Sequence, residues 1–298
     1  MIERAALPTP FTPDLPEVYQ LEISSICNLE CTMCPRTKFK RSDTTSLISV
    51  DLVKKLIAEG AFQGSYFVEL QMAGEPLIHP DLYTIVTLLQ ETGVKVGLST
   101  NGILMDLQLK ALVALDYLTI SVDSITEYKE LRVKGDIQKL INNITTFLLL
   151  NQKTAVDLQI IELPGWEEQL FLLKQLFPKC NVRTVKDCFM TIFQEVDQLP
   201  VSEQLCINPW ISCSVQCNGN VVPCCFSFWD DIVYGNVKEK TLKDIWNGPE
   251  VKHLRKDHQT RDYEPICARC YMRSPAFLHT NIFYKSIQNI SLDDPVNM

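Results

Sequence analysis

The chain has 298 residues, 46% hydrophobic and 21% charged, and its 36 acidic side chains outnumber 28 lysines and arginines for a formal net charge of −8. That length suits one large domain plus a smaller one, and the acidic balance argues against a nucleic-acid partner, whose phosphates a basic patch would neutralise. No run of 18 apolar residues occurs, so a membrane span is not expected.

Residues 1–16 read as an N-terminal extension, since MIERAALPTPFTPDLPE carries early charges and four prolines but no apolar stretch of signal-peptide length. A cytoplasmic location is the expectation, and thiols stay reduced there. The 12 cysteines then point to metal rather than disulfides. A first strand is expected over 18–24, VYQLEIS. KFKR at 38–41 reads as a solvated loop. SVDLVKKLIAEG places Leu52, Val53, Leu56 and Ile57 on one helical stripe and stops at Gly60.

Further strands are expected at 66–72, 94–100, 117–123, 156–162 and 181–188, most of them apolar on both parities, as in a buried parallel sheet. Between them, HPDLYTIVTLLQETG has Pro80 in a first-turn place and Gly93 at its end. SITE at 124–127 has the form of a capping box, and Asp136 can cap the helix IQKLINNITTFLLL. Six strand–helix units in series predict an α/β fold: a partial (β/α)6 TIM-like barrel over 17–195, with right-handed crossovers. In such barrels chemistry gathers at the carboxyl ends of the strands.

After DQLP at 197–200 the character changes, and the domain division is drawn near 190–203. A small cysteine-rich domain is expected over 196–275 and a C-terminal tail over 276–298; seven of the cysteines lie between 206 and 270. The NGN turn at 218–220, between ISCSVQC and VVPCC, predicts a β-hairpin. TLKDIWN and PEVKHLRKDH predict short helices.

The chemistry begins in ICNLECTMCPR at 26–36, where Cys27, Cys31 and Cys34 have the spacing C-x3-C-x2-C with no further cysteine before Cys180. Four thiolates complete a four-iron cluster, whereas three leave one iron open. An open position marks a catalytic metal. Zinc is the alternative, and it would need a fourth ligand from a distant part of the chain.

This loop, placed after a first barrel strand, resembles the signature of the radical S-adenosylmethionine (radical SAM) superfamily. The resemblance implies that Cys27, Cys31 and Cys34 hold a [4Fe-4S] cluster whose open iron chelates the methionine part of SAM. QMAGEP at 71–76 is similar to the family's Gly-Gly-Glu motif for the methionine amino group; Gly74 and Glu75 match, and Ala73 replaces the first glycine. LSTNG and ISVDS resemble the segments that hold ribose and carboxylate, which implies contacts from Ser99, Asn101, Ser121 and Asp123. QIIELPG at 159–165 stands where a further motif flanks the adenine, and Met33 matches the apolar position near that ring. His79 reads as a local cap at a helix start.

The second cysteine set looks like the C-terminal extension called SPASM, or its shortened form, twitch. By that likeness Cys206, Cys224, Cys267 and Cys270 ligate an auxiliary [4Fe-4S] cluster. The cysteines of a second auxiliary cluster are absent after Cys270, so the one-cluster form fits better. A zinc ribbon on the same four thiolates stays open as an alternative, because both centres accept such a shell. Cys225 stands beside Cys224 as a competing ligand, and Cys213 and Cys217 read as packing residues. Cys180 and Cys188 are either hydrogen donors or small apolar residues.

The resemblance implies an enzyme that cleaves SAM to a 5′-deoxyadenosyl radical and takes hydrogen from a substrate, with the auxiliary cluster as electron acceptor or structural element. The expected partners are a peptide or small-molecule substrate, a reductase or flavodoxin-type donor, and for a peptide a separate leader-binding protein. Two substrate classes follow: a ribosomally synthesised peptide, or an aminocyclitol or aminosugar alcohol. A non-catalytic iron–sulfur or zinc scaffold is the third alternative.

Overall fold

The computed structural model describes residues 14–38, 46–186, 206–227, 229, 231–268 and 270. Most of the N-terminal extension, most of KFKR, the division near 190–203, Cys188 and the tail from 276 lie outside these residues. Six parallel strands run in chain order: β1 Val18–Leu21, β2 Phe67–Leu70, β3 Lys95–Thr100, β4 Tyr117–Ser121, β5 Ala155–Ile161 and β6 Asn181–Val185. All six coincide with strands expected from the sequence, though most are shorter.

Helices cross between them. Helix α1 (Val50–Ala58) starts where the Ser49 hydroxyl accepts from the Leu52 N–H at 3.1 Å, and it buries Leu52, Val53 and Leu56. Helix α2 (Leu82–Gln90) buries Leu82, Ile85, Val86 and Leu89. Helix α3 (Ile137–Leu150) is capped by the Asp136 carboxylate, which accepts from the N–H groups of Gln138 and Lys139. Helix α4 (Trp166–Leu176) follows β5. The crossover from β3 to β4 holds only the short turns Met105–Leu107 and Leu109–Leu112. No helix among the described residues is long and apolar enough to cross a membrane.

The strands are not apolar on both parities, which corrects the reading of the sequence. One face carries Tyr19, Leu21, Val68, Leu70, Val96, Leu98, Leu118, Ile120, Leu158 and Ile160, all fully buried in one core with the helices. The registered positions of the other face are Gln20, Glu69, Gly97, Tyr117 and Thr119, continuing with Asp157, Asn181 and Arg183. In parallel register neighbouring residues share a face, so that face is polar across the sheet.

It also curls. Glu69 on β2 and Arg183 on β6 interact electrostatically, although four strand steps would separate them by about 19 Å in a flat sheet. The polar face is therefore the concave lining of a partial barrel, and the apolar face is its helix-covered outside.

The cysteine-rich segment continues the same sheet. Strand β7 (Ser212–Val215) pairs in parallel with β1, and β8 (Asn220–Val222) and β9 (Gly235–Asn236) follow antiparallel, giving the order β6-β5-β4-β3-β2-β1-β7-β8-β9. The expected hairpin is thus β7–β8, turning through the NGN residues. Helix α5 (Leu242–Trp246), capped by Thr241, and helix α6 (Pro249–Thr260) cover it.

Candidate active site

The three-cysteine loop leaves β1 at the carboxyl end of the barrel and is held by backbone bonds on two sides. The Glu75 N–H donates to the Ile26 carbonyl at 2.7 Å, and the Glu30 and Thr32 N–H groups donate to Val133 and Leu131. Gly74 sets how closely the two segments approach: a Cβ there would stand 2.1 Å from the Ser24 oxygen and 2.6 Å from the Ile26 oxygen. Only glycine lets the β2 end lie against this loop.

Around the loop the structure gathers most of the predicted residues. The Asn101 amide donates to Asn28 at 2.9 Å and approaches the Cys27 sulfur at 3.9 Å. Glu75, fully enclosed, accepts from Leu77 N–H at 3.0 Å, Thr100 hydroxyl at 2.6 Å and Asn101 N–H at 2.8 Å. Its carboxylate thereby ties the ends of β2 and β3 together; burial pushes its pKa up, and those three donors counter the effect. Asp123, at a left-handed φ of 64°, accepts from the Arg132 guanidinium at 2.8 and 2.5 Å and from the Ile161 N–H at 3.0 Å. Ser99 donates to Glu69 at 2.7 Å, Ser121 stands half-buried on the lining face, and Met33 is buried beside Cys34. Glu75 and Asp123 therefore each have protein partners as well as a place near the loop, while Ser99 is bonded to Glu69 on the lining.

His79 acts locally at the helix start, its Nδ1 accepting from Asp81 N–H at 3.1 Å, and it also ties in Ile48: the proton this puts on Nε2 lies toward the Ile48 oxygen, 2.8 Å away. Cys213 is buried, and Cys217 donates from its thiol to the Glu22 carbonyl at 3.1 Å.

Several side chains of the site escaped the sequence reading. Arg132 is enclosed with Asp123, and its Nη1 lies 3.9 Å from the Cys31 sulfur. Burial would lower its pKa, but Asp123 and Cys31 outweigh that and keep it charged. The buried Tyr128 hydroxyl, near Cys31 and Arg132, has no hydrogen-bond partner among the described residues. Glu22 accepts from Ala73 N–H at 3.3 Å and from Cys217 N–H at 3.1 Å, joining the predicted SAM motif to the cysteine-rich hairpin. The available signal was parity: Gln20 and Glu22 alternate with apolar Tyr19 and Leu21.

The donor set suits an iron–sulfur group. Burial, the largest effect, raises the pKa of the Cys27, Cys31 and Cys34 thiols, and each thiol feels another of the three. A cation must displace those protons, so binding there releases them. Buried donors without acceptors call for a missing group, and Tyr128 is one. A second pair lies by the C-terminal cysteines. Tyr234, 3% exposed, has a hydroxyl without a partner among the described residues and feels the Cys224 and Cys267 thiols; Arg255 Nη2 is likewise unpaired there. A tetrahedral zinc at about 2.3 Å from each sulfur draws its ligands to within about 4 Å of one another. Among the described residues the set of three such ligand atoms lying within 4.8 Å is His253, Asp257 and Glu264, not either cysteine set.

Comparison with known proteins agrees. Residues 21–169 match the Radical SAM superfamily, and residues 206–271 match SPASM, an iron-sulfur cluster-binding domain. The tungsten-containing aldehyde ferredoxin oxidoreductase cofactor-modifying protein of Pyrococcus furiosus is 33% identical, with 85% of this chain and 86% of that protein covered. A GTP 3′,8-cyclase of Chlorobaculum tepidum is 32% identical over 49% of this chain, and the match spans 45% of that protein. Among solved structures, Streptococcus suis SuiB bound to precursor peptide SuiA aligns with TM-score 0.68 at 14% identity, covering 82% of this chain and 67% of that one. BtrN in complex with AdoMet and 2-DOIA aligns with TM-score 0.54 at 21% identity, covering 86% and 93%.

The chain belongs to the radical SAM superfamily. It is an enzyme of that class with a partial TIM-type barrel, and its two matched domains imply a SAM-binding [4Fe-4S] cluster and an auxiliary cluster.

Proposed function

We propose that the enzyme cleaves SAM at a cluster held by Cys27, Cys31 and Cys34 and turns the product radical on a ribosomally synthesised peptide. The observation that carries the first half is the meeting of three enclosed thiols with Arg132 and the unpartnered Tyr128 hydroxyl at the end of β1. When bound and reduced, such a cluster supplies one electron that splits SAM into methionine and a 5′-deoxyadenosyl radical, which takes a hydrogen atom from substrate. The residues of the chain position the parts. Gly74 and Glu75 frame the methionine amino group, and Ser99, Asn101, Ser121 and Asp123 line the ribose and carboxylate side. Met33 closes the adenine side against water.

Cys206, Cys224, Cys267 and Cys270 would hold the auxiliary cluster, to which Tyr234 and Arg255 offer their unpaired donors. Glu22 spaces that unit from the SAM motif through its two N–H contacts. A reductase or a flavodoxin-type protein would supply the electron. We assign residues 17–195 to the SAM barrel and 196–275 to the auxiliary unit.

The peptide is supported by the likeness to SuiB, which was solved with a precursor peptide. Oxidation of an aminated ring alcohol is the second reading, favoured by the alignment over 93% of BtrN. The test is anaerobic reconstitution, with 5′-deoxyadenosine and candidate substrates followed by mass spectrometry after dithionite and SAM are added. A mass change in a peptide, and none in an aminocyclitol, is the expected result. Clusters without 5′-deoxyadenosine would reduce the chain to a metal-bearing scaffold.

A further inference from the structure

Midway along β2, on the concave face, Glu69 is 5% exposed. Its Oε1 accepts from the Ser99 hydroxyl at 2.7 Å, while Oε2 accepts no hydrogen bond among the described residues. The carboxylate lies over Gly97 of β3, where a Cβ would stand 2.6 Å from Oε2. Glycine there leaves the room that the carboxylate occupies.

Arg183, the cation that acts on Glu69 from across the lining, is also paired with Asp157. Arg183 Nε is 3.4 Å from Asp157 Oδ2, and its Nη2 donates to the Thr119 hydroxyl at 3.3 Å. Asp157 is further held by the Tyr117 hydroxyl and by the Asn181 amide, the latter at 2.7 Å. The Asp157–Arg183 pair is thus neutral in sum, and Arg183 offsets Glu69 only in part. A buried carboxyl of this kind either keeps its proton or gains a cationic partner.

We infer that Glu69 binds a protonated primary amine on the part of the substrate that reaches into the barrel. The geometry selects ammonium over guanidinium. Arginine-type groups bind carboxylates with two parallel bonds to two oxygens. Glu69 offers one fully free oxygen, since Ser99 already donates to the other. A compact ammonium needs only that single acceptor and can turn its remaining protons to water. The position suits a reacting substrate: Ser99 lies two residues before Asn101, about 7 Å along the strand, and Asn101 touches the three-cysteine loop. The amine therefore anchors next to the place where SAM would be cleaved. This inference rests on the proposed SAM cleavage and adds the chemical class of the substrate.

The test uses the reconstituted holoenzyme with SAM, dithionite and either perdeuterated cyclohexylamine or perdeuterated cyclohexanol, probes of the same shape that differ in charge. On transfer a ring C–D bond breaks and a C5′–D bond forms; dithionite and a solvent proton quench the carbon radical left behind. The readout is deuterium per molecule of 5′-deoxyadenosine. The amine is expected to label at least about tenfold more than the alcohol, the discrimination that 1.4 kcal/mol confers, and Glu69→Gln should bring the ratio near one. Equal labelling in the parent enzyme would overturn the assignment without any variant. So would a ratio that survives in Glu69→Gln, or unlabelled 5′-deoxyadenosine from both probes. A failure to form 5′-deoxyadenosine at all would instead bring down the SAM-cleaving function, and the amine site with it.

Discussion

Replacing Gly74 by alanine is the sharpest test of how the barrel positions its cysteines. The added methyl would sit 2.1 Å from the Ser24 oxygen and 2.6 Å from the Ile26 oxygen, both backbone atoms of the segment leading into the loop. Real contacts of this type do not fall below 3.0 Å, so the loop must retreat by about 0.9 Å. Overpacking of that size costs about 1–3 kcal/mol of stability, leaving a folded protein to assay. A shift near 1 Å at a reacting centre can cost about 100-fold in rate. We expect Gly74→Ala to slow 5′-deoxyadenosine formation by about that factor, measured by chromatography alongside iron content and a urea midpoint. Ala73→Gly, which removes a methyl from the neighbouring position, should stay near the parental rate. A Gly74→Ala enzyme with full iron and full rate would refute the idea that contact with Ser24 and Ile26 fixes the loop.

Arg132→Met should destabilise the fold by about 3–5 kcal/mol, because it leaves the enclosed Asp123 carboxylate without its partner; a parental urea midpoint would contradict this. Tyr234→Phe removes a hydroxyl with no protein acceptor beside Cys224 and Cys267. Since hydrogen bonds to sulfur help set cluster potentials, the auxiliary midpoint should fall in an EPR-monitored redox titration, and an unchanged value would show that the hydroxyl serves something else. Burial raises the pKa of Glu69 from 4.5 to about 7, with Ser99 and Arg183 opposing. The folded chain then holds a proton that the unfolded chain has released, so this stability is full below about 4.5 and is lost as pH rises through about 7. The loss amounts to about 3 kcal/mol at 1.36 kcal/mol per unit. Urea midpoints of the parent should drop relative to those of Glu69→Gln between pH 5 and 8, and parallel slopes would refute the shift.

The six barrel strands and the main caps were legible because each is written locally. Asp136 and Thr241 cap helices within three residues of themselves, and the β-rich runs are bounded by glycines and polar turns. The polar lining was missed: Gln20 and Glu22 do alternate with Tyr19 and Leu21, but runs such as KVGLST hide the pattern behind apolar neighbours. The partners of Arg132 and Glu22 could not be read from sequence, since they lie 9 and 195 residues away. Tyr234 and Arg255 gave no signal either, because an unpaired donor exists only once everything around it is packed.

By itself the sequence determined the chemistry on offer: three closely spaced thiols after a first strand, four more cysteines near the end, and alternating segments that must build a parallel sheet. Those are matters of residue type and short spacing, which hold before any long-range contact forms. Tertiary structure alone decided that the C-terminal hairpin joins β1 in one sheet, that Glu75 and Asp123 bind the protein's own groups, and that Glu69 faces the lining with one oxygen unused. Each of these depends on curling a sheet until residues far apart in the chain meet, and burial then sets which polar atoms find partners and which are left for a ligand.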